Sequence, residues 1–193
     1  MIPSRQEILY RVFGALQLAR LDPGGAQYFD ESPQAALRSF FAAVLVAPAF
    51  LATTMLTRET APPVDGFVIA IVLLLSYCLL WTAYPLIAYR VCQTIDREQA
   101  FFRYLAATNW ASVVVYHFQL VVIIFIVGGL VPGFLAPLVQ LALFACVLGY
   151  SWFICRSCLK VTGLVAAGFV VLEFVVNTVV VLIADSILYP AGP

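Results

Sequence analysis

Residues 162–187 read TGLVAAGFVVLEFVVNTVVVLIADSI. Between Thr162 and Asp185 this stretch carries a single ionisable side chain, Glu173. A helix of that length rises far enough to cross a hydrocarbon core of roughly 30 Å, which needs about 20 residues. Moving back along the chain, four similar apolar stretches appear at about 133–154, 104–128, 66–89 and 39–57. With 64% hydrophobic and 10% charged residues, the composition excludes a soluble domain. The fold expected is therefore all-α, a polytopic integral membrane protein with five transmembrane helices. Residues 1–31 read as an arm with an amphipathic interfacial helix, and 32–193 as the five-helix transmembrane domain.

Positive charge sorts by side. Arg5, Arg11, Arg20 and Arg38 precede the first span, Arg90, Arg97 and Arg103 join spans two and three, and Arg156 and Lys160 join spans four and five. Only Arg58 falls on the other side. Basic loops mark the cytoplasmic face, so the N-terminus is expected inside and the C-terminus outside. Nine Arg against one Lys suggests a GC-rich genome, hence a multi-pass protein of a bacterial plasma (inner) membrane. The charge is dispersed along the chain and gives no basic face for nucleic acid. No cleavable signal peptide is read in the first 37 residues, because charges interrupt every apolar run.

The arm opens with Ser4 and Glu7 at capping-box spacing. Ile8, Leu9, Val12, Phe13, Leu16 and Ala19 follow at helical spacing, with Arg5, Arg11 and Arg20 among them. Such a helix can lie at the lipid interface, with Val12 and Phe13 in the acyl boundary and Arg5, Arg11 and Arg20 near anionic headgroups. It can equally pack on the spans or on a partner. Ser32-Pro33 is a second start signal, placing the beginning of the first membrane helix near residue 32. Pro62-Pro63 marks one outer turn, and Gly128-Gly129 with Pro132-Gly133 another. Pro48, Pro85 and Pro137 interrupt spans one, two and four, reading as kinks. Tyr89, Tyr104, Trp110, Trp152 and Tyr189 read as interface-belt aromatics. No internal repeat suggests a transporter of matched halves.

Glu173 is the outstanding residue. An acid at mid-span costs at least about 2.5 kcal/mol on insertion scales, so it must face protein or water, or stay protonated. Asn177 lies one turn on, on the same face. His117 in span three and Gln140 in span four come to a similar depth, His117 and Glu173 differing by only roughly 3 Å. Glu173, His117, Gln140 and Asn177 are thus a candidate midplane cluster, as a proton relay, a small polar substrate site, or a static hydrogen-bonded network. Asn109, Ser112, Tyr116 and Gln119 form a second polar stripe on span three, expected to pack against other helices.

Five cysteines, Cys78, Cys92, Cys146, Cys155 and Cys158, sit within spans or near the inner boundary, where thiols stay reduced. Cys155-Arg156-Ser157-Cys158 lacks the partner ligands of a zinc site and the context of a redox motif. There is no Gly-rich phosphate loop, no H-E-x-x-H and no G-x-S-x-G. The expectation is a protein without enzymatic activity, cofactor or metal.

Phe102-Arg103-Tyr104-Leu105-Ala106-Ala107-Thr108-Asn109-Trp110, opening span three, the arm before Pro33 and the five-span layout resemble small bacterial members of the Yip1 superfamily. Gly149-Tyr150-Ser151 echoes that family's glycine-tyrosine membrane motif. The acidic tyrosine-glycine-proline motif of its eukaryotic branch is absent, so a GTPase partner does not carry over. The resemblance implies a non-enzymatic protein of structural, interaction or membrane-organising type, in contact with membrane lipids and with a membrane-protein partner or its own copies. The alternative is a small transporter or proton-coupled channel that uses the midplane cluster.

Overall fold

A computed structural model describes residues 3–58 and 60–190; the expected outer position of Pro193 lies outside them. Among the described residues every regular element is helical. Helix α1 spans Arg5–Ala19 and leads through a 3-10 turn, Pro23–Tyr28, to α2, Pro33–Ser39. The long helices follow: α3 Phe41–Thr57, α4 Gly66–Thr94, α5 Glu98–Val127, α6 Ala136–Leu159 and α7 Gly163–Leu188. With α2 and α3 counted as one span, five helices are long and apolar enough to cross a membrane.

Local chemistry accounts for the helix ends. Ser32 Oγ accepts from the Ala35 amide at 3.2 Å, with Pro33 in the first turn, so the first span does begin near residue 32. Ser4 caps α1 by accepting from Glu7 N at 3.2 Å, but the Glu7 carboxylate does not complete a capping box and instead pairs with Arg38. Pro48 and Pro85 lie inside helices. Pro137 sits in the first turn of α6, where its missing N–H leaves no bond broken, so it does not interrupt that span. Gly129 takes a φ of 74° in the turn before α6, a conformation that glycine adopts without strain.

Helix α5 is the hub, packing against α1, α2, α3, α4 and α6. Helix α7 packs against α4 and α6, so α4, α5, α6 and α7 form a ring. Successive spans run in alternating directions. Glu31 meets Gln99 and Arg103 on one side, the arm side. Tyr189 OH donates to Thr60 O at 2.9 Å on the other, the far side. Most of the core lies toward the arm side and includes Leu18, Phe29, Ala88, Phe101, Tyr104, Ile154 and Phe169. A small cluster of Val72, Ala184 and Leu188 joins α4 to α7 toward the far side.

The arm docks on this bundle. Ala15 and Leu18 are fully buried, and Ala15 O accepts from Tyr150 OH at 2.6 Å. Gly25 allows the close approach: a Cβ there would stand 2.7 Å from Gly14 O and 2.8 Å from Leu18 N. Arg11, expected near lipid headgroups, instead bonds the Tyr28 carbonyl and pairs with Asp30 at 2.7 Å, its side chain 14% exposed. The folded arm supplies acceptors that its guanidinium satisfies within the chain. Val12 packs partly buried against the core. Arg5 and Arg20 are exposed, and so is an apolar row on α1: Leu9, Tyr10, Phe13 and Leu16.

Candidate functional site

Enclosed mainly by the α4–α7 ring is a cavity of about 440 Å³. Glu173 and Asn177 line it from α7, four residues apart and so on one helical face. Gln140 and Ser151 line it from α6. From α5 come Thr108, Asn109, Ser112, Tyr116 and Gln119. From α4 come Trp81, Tyr84 and Pro85.

The cavity has a closed end and a lighter end. Toward the arm side, Tyr84 OH and Tyr104 OH hydrogen-bond each other, both residues buried. The Tyr104 ring meets that of Phe169 with centroids 6.0 Å apart, bridging α5 and α7. Tyr150 lines the same end while its hydroxyl holds the arm. On the α3 flank, Phe50 packs on Tyr77 and Tyr116, with centroids 4.8 and 6.4 Å apart, and Tyr77 OH donates to Ala43 O at 2.6 Å. Toward the far side the lining runs out to the exposed Thr57 and Gln140.

Two residues of the cavity wall, Thr108 and Asn177, carry buried oxygens, Oγ1 and Oδ1, with no hydrogen-bond partner among the described residues. A buried polar atom left unpaired costs of order 1–3 kcal/mol, so a turn of either side chain toward a donor in the cavity would relieve that cost. Glu173 meets the same need: facing the cavity spares its carboxylate contact with lipid.

Three members of the expected midplane cluster, Glu173, Gln140 and Asn177, therefore share one cavity. His117 does not join them. It is exposed, and its Nδ1 meets Val113 O of its own helix at 2.8 Å. Tyr116 faces the cavity, and the next residue on a helix is turned about 100° away; counted from the Tyr104–Phe169 contact between α5 and α7, His117 also lies well beyond the level of Glu173. The stripe Asn109, Ser112, Tyr116 and Gln119, expected to pack against helices, lines the cavity along its whole length. Tyr104 and Trp110, expected at the interface belt, are buried inside at 3% exposure each. Trp81, Tyr84 and Thr108 were missed; Trp81 and Tyr84 lie within one turn of each other, which was the available signal.

Cys92, Cys155 and Cys158 are all buried. Among the described residues no group of three or more His, Cys, Asp or Glu is placed to hold a metal.

No protein-family model matches this chain, and neither a curated protein nor a solved structure matches it.

Proposed function

We propose that this five-span membrane protein binds a small polar solute in the cavity around Glu173 and passes it across the bilayer, without enzymatic chemistry. One observation carries the reading: an acid and an amide on α7 face a 440 Å³ space together with Gln140 of α6. A ligand pocket of some hundreds of Å³ with a few convergent polar groups is the usual form of a small-molecule site. Ionisable residues inside spans commonly mark substrate or proton pathways. The nine basic residues on the arm side support a cytoplasmic position for that side. The cavity is then closed inward by the Tyr84–Tyr104 pair and runs outward to Thr57 and Gln140. A bacterial inner membrane fits the Arg-rich composition.

The membrane-organising reading, with its likeness to the Yip1 superfamily, draws on a different observation. The exposed row Leu9, Tyr10, Phe13 and Leu16 on α1 offers an apolar strip to lipid or to a partner.

Cysteine accessibility tests the solute-binding reading. In a background with Cys78 and Cys146 replaced, Asn177→Cys and Gln140→Cys are treated with a membrane-impermeant thiol reagent. Both are expected to react from the far side, Gln140→Cys faster. An inert Asn177→Cys in folded protein means a dry, static network and overturns the proposal.

A further inference from the structure

The lining of the cavity also bears on what the solute is, and this step rests on the solute-binding reading above. We infer that the solute is a small organic cation carrying N–H donors, an alkyl- or arylalkylammonium. Among the described residues, Glu173 is the one charged side chain on the cavity wall; no Arg, Lys or His lines it. An anion would meet uncompensated like charge in a low-dielectric setting, where such repulsion is strongest. A neutral solute would require Glu173 to stay protonated, making no use of the one acid on the wall. A bare proton would neutralise Glu173 yet leave the volume and the two orphaned oxygens unfilled.

The rest of the wall fits a cation in two ways. Asn177 Oδ1 and Thr108 Oγ1 are buried acceptors without donors, and an ammonium group is all donor. Trp81, Tyr84 and Tyr104 place aromatic rings around the same space. Aromatic faces attract cations, more strongly when water is excluded. The apolar remainder of the wall suits a hydrocarbon body on the ammonium group.

The experiment is calorimetry on the full chain in lipid nanodiscs, with empty nanodiscs subtracted. The probes are phenethylammonium, its neutral isostere 2-phenylethanol and its anionic isostere 3-phenylpropanoate. Phenethylammonium is expected to bind, and the other two to bind at least about tenfold more weakly. Glu173→Gln should weaken the cation by at least about tenfold, while Glu173→Asp should retain most of the affinity. Thermal melting of each variant confirms that it is folded. Equal binding of the neutral or anionic probe, or binding indifferent to Glu173→Gln in folded protein, overturns the cation assignment. Failure of all three probes also overturns it. If Asn177→Cys then still reacts with the thiol reagent, a wet cavity survives without its cation; if it does not, the solute-binding reading falls too.

Discussion

Asn109 Nδ2 on α5 donates to Ser39 Oγ on α2 at 2.8 Å, with both residues buried. Ser39 passes the bond on, donating to Ala36 O at 2.6 Å. The pair fastens the hub helix to the point where the first span breaks between α2 and α3. Interhelical polar contacts in membranes average about 0.6 kcal/mol and reach about 1.7. A double-mutant cycle with Asn109→Ala and Ser39→Ala, read by denaturant unfolding in bicelles, should return a coupling in that range. A coupling of zero would remove this bond from the account of what holds α2 to α5.

Gly25→Ala should detach the arm. The new methyl would press on backbone atoms of α1, Gly14 O and Leu18 N, which do not swing aside as side chains do. Overpacking of this kind costs about 1–3 kcal/mol. Hydrogen exchange should speed up across residues 5–28 while the spans keep their protection. Unaltered protection of α1 would show that the 3-10 turn can shift to accept the methyl.

The two faces of α1 should respond differently. Phe13 is 48% exposed, and Val12 packs on the core. If the exposed row lies in the acyl boundary, Phe13→Trp fluorescence should be strongly quenched by brominated lipid. Val12→Asp should loosen the docked arm without removing the spans from the membrane. A Phe13→Trp signal that brominated lipid leaves untouched would place the row in water or against a partner.

Orientation follows from the charge asymmetry. Reporter fusions near Arg97 and Arg156 should report the cytoplasm, and one at Pro62 the outside. The opposite pattern would invert the sides and direct the open end of the cavity inward.

Span count was legible in the sequence because length and apolarity act locally, although α5 begins at Glu98, ahead of the expected 104. Capping residues also act locally. Thr162 Oγ1, for instance, accepts from Val165 N at 3.4 Å at the start of α7, and Asp65 Oδ1 from Phe67 N at 2.8 Å at the start of α4. Rise per residue is fixed, yet depth was only partly legible: Glu173, Gln140 and Asn177 line one cavity, but Gln140 stands at its exposed far end. Which way a helix faces depends on its neighbours. That is why His117 was placed inside when it is exposed, and why Tyr104 was assigned to the interface. Arg11 shows the same limit for charge. Its partners, Tyr28 and Asp30, lie 17 and 19 residues on, across a chain reversal that no periodicity reveals.

The arm's anchors are all made after it. Gln99 and Arg103 on α5 hold residues 29–31, and Tyr150 on α6 holds Ala15. At synthesis rates of roughly 5–20 residues per second, the interval from the arm to Tyr150 lasts on the order of ten seconds. Until α5 is made, Leu18 has only the neighbouring turn at Gly25 to pack against, and a chain halted after α4 gains neither the α5 seat of the arm nor Tyr150. The arm thus waits on helices made after it, and its docking is complete only once the third and fourth spans have arrived.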